Sequence, residues 1–288
     1  MVDEGIPQAN DRNRSPRVGT NPGAGKAIIP GASTLRAIQD HLRRGGRLWL
    51  FLDYDGTLVP IVRTPDEAQP DAQLLDLLGH LATRSQVRTV VLSGRPLSAL
   101  EELLPVPGLI RAGLYGVEID LPGEGIVTRA RRESIRRVVE QVRDGWTLLV
   151  RGRSGFLVED KGLAVALHSR FAHPAEAALV IPQAQAIVSS LATEEFRVLG
   201  GDRFLEIAPA AAHKGETVEW LFNHISLPDA QSVYFGDDDK DEEAFAIIRK
   251  HRGIPIVVGS RQPQTQALIR LPSHHDVRLW LETIISTN

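Results

Sequence analysis

No cysteine occurs among the 288 residues. Disulfides, thiolate metal sites, iron–sulfur clusters and cysteine nucleophiles are therefore excluded, and any nucleophile must carry oxygen or nitrogen. An excess of either charge is missing as well. Lys+Arg 33 against Asp+Glu 36 leaves a formal net charge of -3, so the summed field offers little general attraction for nucleic acid or an anionic membrane. Nowhere does the chain offer the roughly 18 apolar residues of a spanning helix, and its start lacks the apolar stretch of a signal peptide. No repeat of solenoid period is visible. The expectation is a cytoplasmic protein that takes a small molecule, with no nucleic acid and no membrane as partner.

What is present is average for a globular chain: 42% hydrophobic and 24% charged residues. At about 150 residues per domain, the length fits one large domain or two joined ones. Residues 1–32 combine Asn, Gly, Pro, Asp and Arg without apolar period and read as a disordered tail. Gly23-Ala24-Gly25-Lys26 hints at a phosphate loop, but Thr20 stands where the first glycine belongs and Ala27 replaces the Ser/Thr. A flexible tail is the better reading.

From Ser33 onward apolar runs alternate with helical patterns. Leu48 to Leu52 and Val87 to Leu92 read as buried strands. The leucines behind Pro70 and Asp71, and Leu97 to Leu104, read as helices. Strand–helix alternation implies a parallel sheet with right-handed crossovers, and ligands gather beyond the carboxyl ends of such strands. The middle differs. Short runs at Trp146–Val150, Gly155–Val158, Leu163–His168, Arg197–Leu199 and Phe204–Ala208, with a helical stretch over 174–192, predict an α+β insert. Alternation then resumes: helix from Lys214 to Ile225, strand from Ser232 to Phe235, helix from Asp241 to Lys250, strand from Ile254 to Val258. The expected fold class is α/β, a parallel-sheet core split into 33–127 and 209–288 by a smaller unit at 128–208.

Chemistry gathers at the strand ends. Asp53-Tyr54-Asp55-Gly56-Thr57 puts two carboxylates beside a glycine turn, although Asp also suits turns. Asp237-Asp238-Asp239-Lys240-Asp241 follows another strand. Asp53 and Asp237 at adjacent strand ends can hold a hard cation such as magnesium, whereas Asp241 and Glu242 suit a helix N-terminus. So many carboxylates call for a cation, and Lys214 opens a helix whose amides also favour an anion. Ser93 and Gly94, in Leu92-Ser93-Gly94-Arg95-Pro96, offer a hydroxyl and turn amides at a third strand end.

The joint order of Asp-x-Asp, Ser, Lys and Asp-Asp resembles the four motifs of the haloacid dehalogenase-like superfamily of phosphotransferases, over about Arg47 to Asp241. The resemblance implies a Rossmann-like core with a mobile cap inserted between the serine and lysine motifs. It implies Asp53 as nucleophile, Asp55 as general acid/base, and Ser93, Gly94 and Lys214 as phosphate binders. Asp53, the backbone carbonyl of Asp55 and Asp237 would be the Mg2+ ligands, with Asp238 and Asp241 in support.

The insert is similar to the cap of trehalose-6-phosphate phosphatases. Glu159-Asp160-Lys161-Gly162 and Ala166 to Arg170 carry that likeness, with Glu206 as a second cap glutamate. Gly113-Leu114-Tyr115-Gly116-Val117-Glu118 matches the family's Gly-x-x-Gly-x-Glu element. The resemblance implies Glu118, Glu159, Lys161, Arg170 and Glu206 as sugar binders, and extends to association with a trehalose-phosphate synthase. Two departures stand out. Tyr115 replaces a common His, and Lys240 replaces a frequent Thr, adding a cation beside the metal site. His168 is expected to be structural and His213 to position the turn at Lys214. The run Arg129, Arg131, Arg132, Arg136 and Arg137 reads as a solvated helix face. The activity implied is magnesium-dependent hydrolysis of trehalose-6-phosphate through an aspartyl-phosphate. The alternatives are a related phosphatase for sucrose-phosphate or mannosyl-phosphoglycerate, and a non-catalytic sugar-phosphate-sensing module.

Overall fold

The computed structural model describes residues 31–286 apart from 63, 192, 202, 261 and 263. The tail expected over 1–32 lies outside them but for its last two residues, and so does Gly23–Lys26. The first part of the chain runs α1 (Ala32–Arg43), β1 (Arg47–Leu52), α2 (Ala72–Ala82), β2 (Val87–Leu92), α3 (Leu97–Leu103), β3 (Ile110–Gly113), β4 (Glu118–Leu121) and β5 (Gly125–Thr128). Then follow α4 (Arg132–Leu149), β6 (Leu157–Asp160), β7 (Val165–His168), α5 (Pro174–Leu191), β8 (Phe196–Gly201) and β9 (Phe204–Pro209). The last part is α6 (Lys214–His224), β10 (Ala230–Gly236), α7 (Asp241–Lys250), β11 (Ile254–Val258), β12 (Ile269–Leu271) and α8 (His274–Ile285).

The larger sheet has the order β12-β11-β10-β1-β2-β3-β4-β5. From β12 to β3 every pairing is parallel, and β4 and β5 add an antiparallel edge. The α/β class is as expected, and its physical basis is visible in β1. Leu48, Leu50 and Leu52 enter a core with α1, α2 and α8, while Trp49 and Phe51 face the opposite core with α6 and α7. Burial on both faces is why the strand reads as an unbroken apolar run. The chain leaves β1 toward β2 on one side and returns as β10 on the other, so the crevice at the carboxyl end of β1 is a topological switch point.

The second sheet, β6-β7-β9-β8, is antiparallel throughout and carries α4 and α5 on its own core. Here the strand expected over Trp146–Val150 is overturned: these residues end α4 and follow it. Ile135, Val139, Val142 and Trp146 recur at helical spacing on the buried face, and Trp146 Nε1 donates to the Ala184 carbonyl of α5 at 3.0 Å. Truncating such a buried indole costs roughly 3–5 kcal/mol. The arginines between these apolar residues hide the period. Three arginines of the run from Arg129 to Arg137 tie the unit down rather than merely facing water. Arg129 donates to the Gly116 carbonyl and Thr217 Oγ1, Arg132 pairs with Glu118, and Arg136 reaches Glu140, Asp160 and the Gly162 carbonyl. Elements the sequence pattern did not single out are α1, β3, β4, β5, β12 and α8. Among the described residues, no helix is long and apolar enough to cross a membrane.

Asp71 does two jobs at the start of α2. One oxygen accepts the Leu74 amide at 2.8 Å, and the other holds Arg278 of α8 at 2.5 Å. The hydrogen bond from Arg278 is the largest influence holding its carboxyl below the usual range. Asp71→Ala is expected to cost about 1–2 kcal/mol, the value of a lost cap. Because the folded-state pKa is depressed, that contribution is present above about pH 4 and fades as pH falls. Thermal melts of both proteins at pH 7 and pH 3.5 test this: the gap in melting temperature should narrow in acid.

Candidate active site

Asp53 lies directly beyond β1, its amide donating to the Phe235 carbonyl at 2.9 Å. Its Oδ1 accepts Lys214 Nζ at 2.8 Å, while Oδ2 accepts no hydrogen bond from the described residues. Lys214 is buried at the first turn of α6 and also donates to Asp241 Oδ1 at 2.6 Å. His213 caps that helix, its Nδ1 accepting the Glu216 amide at 3.2 Å, which is the turn-positioning role expected of it.

Asp241 is the hub. Besides Lys214, its Oδ1 accepts the Tyr234 hydroxyl at 2.8 Å, and its Oδ2 accepts the amides of Asp237 and Asp238 at 2.9 and 3.1 Å. It is fully buried. Reading it as a helix-terminus acid is therefore incomplete: it shapes the loop that presents Asp237. Asp238 Oδ1 in turn accepts the amides of Lys240 and Asp241.

Carboxylate oxygens of Asp53, Asp237 and Asp241 lie within 4.8 Å of one another, all buried. Burial pushes the Asp53 carboxyl well up; Lys214 opposes this, and Asp241, Asp237 and Asp238 add to it. Lys214 is pushed well above its ordinary value because the attraction of Asp241 and Asp53 outweighs its burial. The local charge is thus negative beyond what one lysine neutralises. An all-oxygen donor set of this kind suits a hard divalent cation. Space is also reserved for it to form: a Cβ on Gly56 would stand 2.3 Å from Asp237 Oδ2, so only glycine, here at φ +91, lets the turn after Asp55 approach that carboxylate.

Asp55 is held differently from what its expected role needs. Both its oxygens are bound by Arg95, at 2.7 and 2.8 Å, and Arg95 also donates to the Pro65 carbonyl and stacks over Tyr54. Arg95 was not singled out from the sequence, because nothing local distinguishes this arginine of the Leu92–Pro96 turn from the others. Ser93 is buried with its Oγ accepting the Arg95 amide at 3.2 Å. Gly94 has to be glycine, since a Cβ would fall 2.6 Å from the Tyr115 ring.

The insert brings Lys161 and Glu206 together. Lys161 Nζ donates to Glu206 Oε2 at 2.9 Å and reaches the Gly94 carbonyl at 3.4 Å, so it spans insert and phosphate turn. Attraction from Glu206 and Glu159 raises the Lys161 pKa against the effect of its burial. Glu206 is fully buried, and its Oε1 has no hydrogen-bond partner among the described residues. Glu159 accepts His168 Nε2 at 2.8 Å; although burial opposes it, that bond and the Lys161 charge hold its carboxyl below the usual range. His168 thereby has a definite structural task. Arg170 donates to the Val62 carbonyl at 3.2 Å, and Glu118 is bound to Arg132 at the start of α4. Neither of these two is hydrogen-bonded or ion-paired to Lys161 or Glu206.

Lys240 is engaged by the second sheet, although its charge still acts on Asp238 in the acidic loop. Its Nζ donates to the Gly200 carbonyl of β8 at 3.1 Å and to Asp239 at 2.5 Å, and lies 5.3 Å from the Phe204 ring of β9. It straps the acidic loop to the second sheet. Lys240→Met is expected to cost about 1 kcal/mol through the lost cation–π contact while shifting half-saturating metal by less than about twofold. Calorimetry and a metal titration of activity check the two halves.

A family model described as trehalose-phosphatase matches residues 51–274. The chain is similar to a probable trehalose-phosphate phosphatase of Sinorhizobium fredii, 29% identical, covering 80% of this chain and 84% of the relative. It is also similar to a trehalose-phosphate phosphatase of Mycobacterium avium, 31% identical, covering 88% of this chain and 63% of the relative. Its fold is similar to that of a C. albicans trehalose-6-phosphate phosphatase C-terminal domain, with TM-score 0.76 at 23% identity, over 87% of this chain and 96% of that one.

Proposed function

The chain belongs to the trehalose-phosphatase family, and from that premise we propose that it hydrolyses trehalose-6-phosphate through a phosphoryl group carried transiently on Asp53. The observation that carries this reading is the pairing of Asp53 with Lys214 on one oxygen only, inside a buried acidic cluster.

Asp53 Oδ2 attacks phosphorus, forming a bond to it as the bond to the sugar oxygen breaks. Asp55 leaves Arg95, takes up a proton from solvent and gives it to the departing sugar oxygen; the carboxylate so formed then takes a proton from the water that attacks the aspartyl-phosphate, whose bond to Asp53 breaks to release phosphate. Lys214, with Ser93 and the Gly94 turn, binds the phosphoryl oxygens as charge moves among them; positioning and electrostatics supply most of the acceleration. Asp53 and Asp237, with the Asp55 carbonyl that the family resemblance adds, would hold Mg2+, while Asp241, both of whose oxygens already accept protein donors, would orient the Asp237 loop. When bound, the ion neutralises charge so that a carboxylate can approach a phosphate dianion.

Lys161 and Glu206 read the sugar. The buried, unpartnered Glu206 Oε1 is an acceptor of the kind a sugar hydroxyl satisfies. The insert would act as a cap that excludes bulk water. A panel of trehalose-6-phosphate, sucrose-6-phosphate, mannosyl-phosphoglycerate and glucose-6-phosphate, assayed with magnesium, tests the proposal. Trehalose-6-phosphate should give the highest kcat/KM, by about tenfold or more, since one hydrogen bond to a charged group contributes about 1.5–3 kcal/mol. Equal, low turnover of all four would remove the trehalose assignment and leave the phosphatase.

A further inference from the structure

We propose that Tyr115 is a positioning residue for sugar specificity: its hydroxyl, backed by the Ser93–Gly94 turn, holds the Glu206 carboxylate at a set distance from the phosphate site. This rests on the reading above, in which the turn takes phosphate and Glu206 takes sugar hydroxyls.

Three observations support it. The Tyr115 hydroxyl lies 3.4 Å from Glu206 Oε2 across the seam between the two sheets. The residue is rigidly fixed from the other side, since its amide donates to the Ser93 carbonyl at 2.8 Å and its carbonyl accepts Thr217 Oγ1 at 2.8 Å. Its ring fills the space over Gly94 that a side chain there would need. Such fixing is costly, because Leu114 and Tyr115 both adopt positive φ, 49° and 59°, a region that disfavours bulky side chains. Burial, followed by the nearby Glu206 charge, pushes the phenol well up, so the hydroxyl stays protonated and donates.

The consequence is a division of labour on one carboxylate. Lys161 and Tyr115 occupy Glu206 Oε2, and Oε1 is left for the ligand. Without the phenol, Lys161 alone orients Glu206 and the carboxylate can swing about that single contact. The loss falls on recognition of hydroxyls and not on phosphoryl transfer.

The test is Tyr115→Phe, which keeps the ring and removes one oxygen, measured with trehalose-6-phosphate and with p-nitrophenyl phosphate, which has no sugar hydroxyls. KM for the sugar phosphate should rise about tenfold, the lower range for a hydrogen bond to a charged acceptor, given its 3.4 Å length. The kcat should stay within about twofold, and p-nitrophenyl phosphate kinetics should be unchanged. In a Glu206→Gln background the same substitution should add less than about twofold, because the two residues act as a unit. Equal losses on both substrates, additive effects in the cycle, or a large drop in melting temperature would each overturn the proposal by assigning the hydroxyl to the turn or the fold. If the wild type ignores trehalose-6-phosphate, the substrate reading fails. The same cycle on the best sugar phosphate of the panel then still decides the role of Tyr115.

Discussion

Asp53→Asn is expected to release no phosphate above background, a loss on the order of 10⁴-fold or more, as when other covalent catalysts lose their nucleophile. The amide is isosteric, so the substitution removes chemistry without removing shape. Its oxygen is a poor nucleophile. The fold should not suffer. Burial and the crowd of Asp241, Asp237 and Asp238 hold the Asp53 carboxyl well above its ordinary value, with Lys214 in opposition. The folded state therefore binds that proton more tightly than the unfolded chain, and its stability declines as pH rises from about 4 through the raised value. In metal-free protein at pH 7 the variant should melt at the same temperature as wild type or higher, with a flatter dependence on pH. Lys214 keeps Asp241 as partner. Substantial remaining turnover, measured as phosphate release in magnesium, would refute the nucleophile assignment. A collapse of the melting temperature would refute the account of strain at this position.

Asp241→Asn is expected to do the opposite to stability. Four donors converge on its two oxygens: Lys214, Tyr234 and the amides of Asp237 and Asp238. An amide replaces one acceptor with a donor. Whichever way it turns, two of these donors face an NH₂ group. Removing one partner of a buried ion pair costs about 3–5 kcal/mol, and there is no room to shift, since Gly236 already packs where a Cβ would stand 2.2 Å from the Asp241 carboxyl carbon. Activity should fall as well, by about 10²–10³-fold, the scale of losing one preorganised electrostatic contact. Released from Asp241, Lys214 is left to Asp53 alone, and the Asp237 loop loses its anchor. Calorimetry with steady-state kinetics at saturating magnesium checks both effects; a variant with wild-type melting and kcat would show that Asp241 is only a helix-terminus charge.

The two residues differ in how they could be read. Asp53 stands at the end of an apolar run, and Lys214 at a helix start, so local pattern alone marked them as boundary residues facing a common crevice. Parallel strands buried on both faces make that pattern strong: Leu48 to Leu52 and Ile254 to Val258 are continuous because both neighbours are apolar cores. The pattern failed where burial is one-sided. Trp146 to Val150 looked like a strand because it is the apolar end of α4, whose earlier turns are crowded with arginines. The edge strands β4 and β5 are short and partly exposed, and short elements carry little period to detect.

By itself the sequence bounded the chemistry: without cysteine any nucleophile must carry oxygen or nitrogen, carboxylates able to hold a hard cation follow two of the strands, and the order of the motifs implied a split core. Only the tertiary structure decided which polar groups meet. Arg95 takes both oxygens of Asp55 across 40 positions, and Tyr115 reaches Glu206 across 91. The physical reason is that periodicity records which side of an element is buried. The partner of a buried charge is set by where distant elements come to rest, and that information is not local.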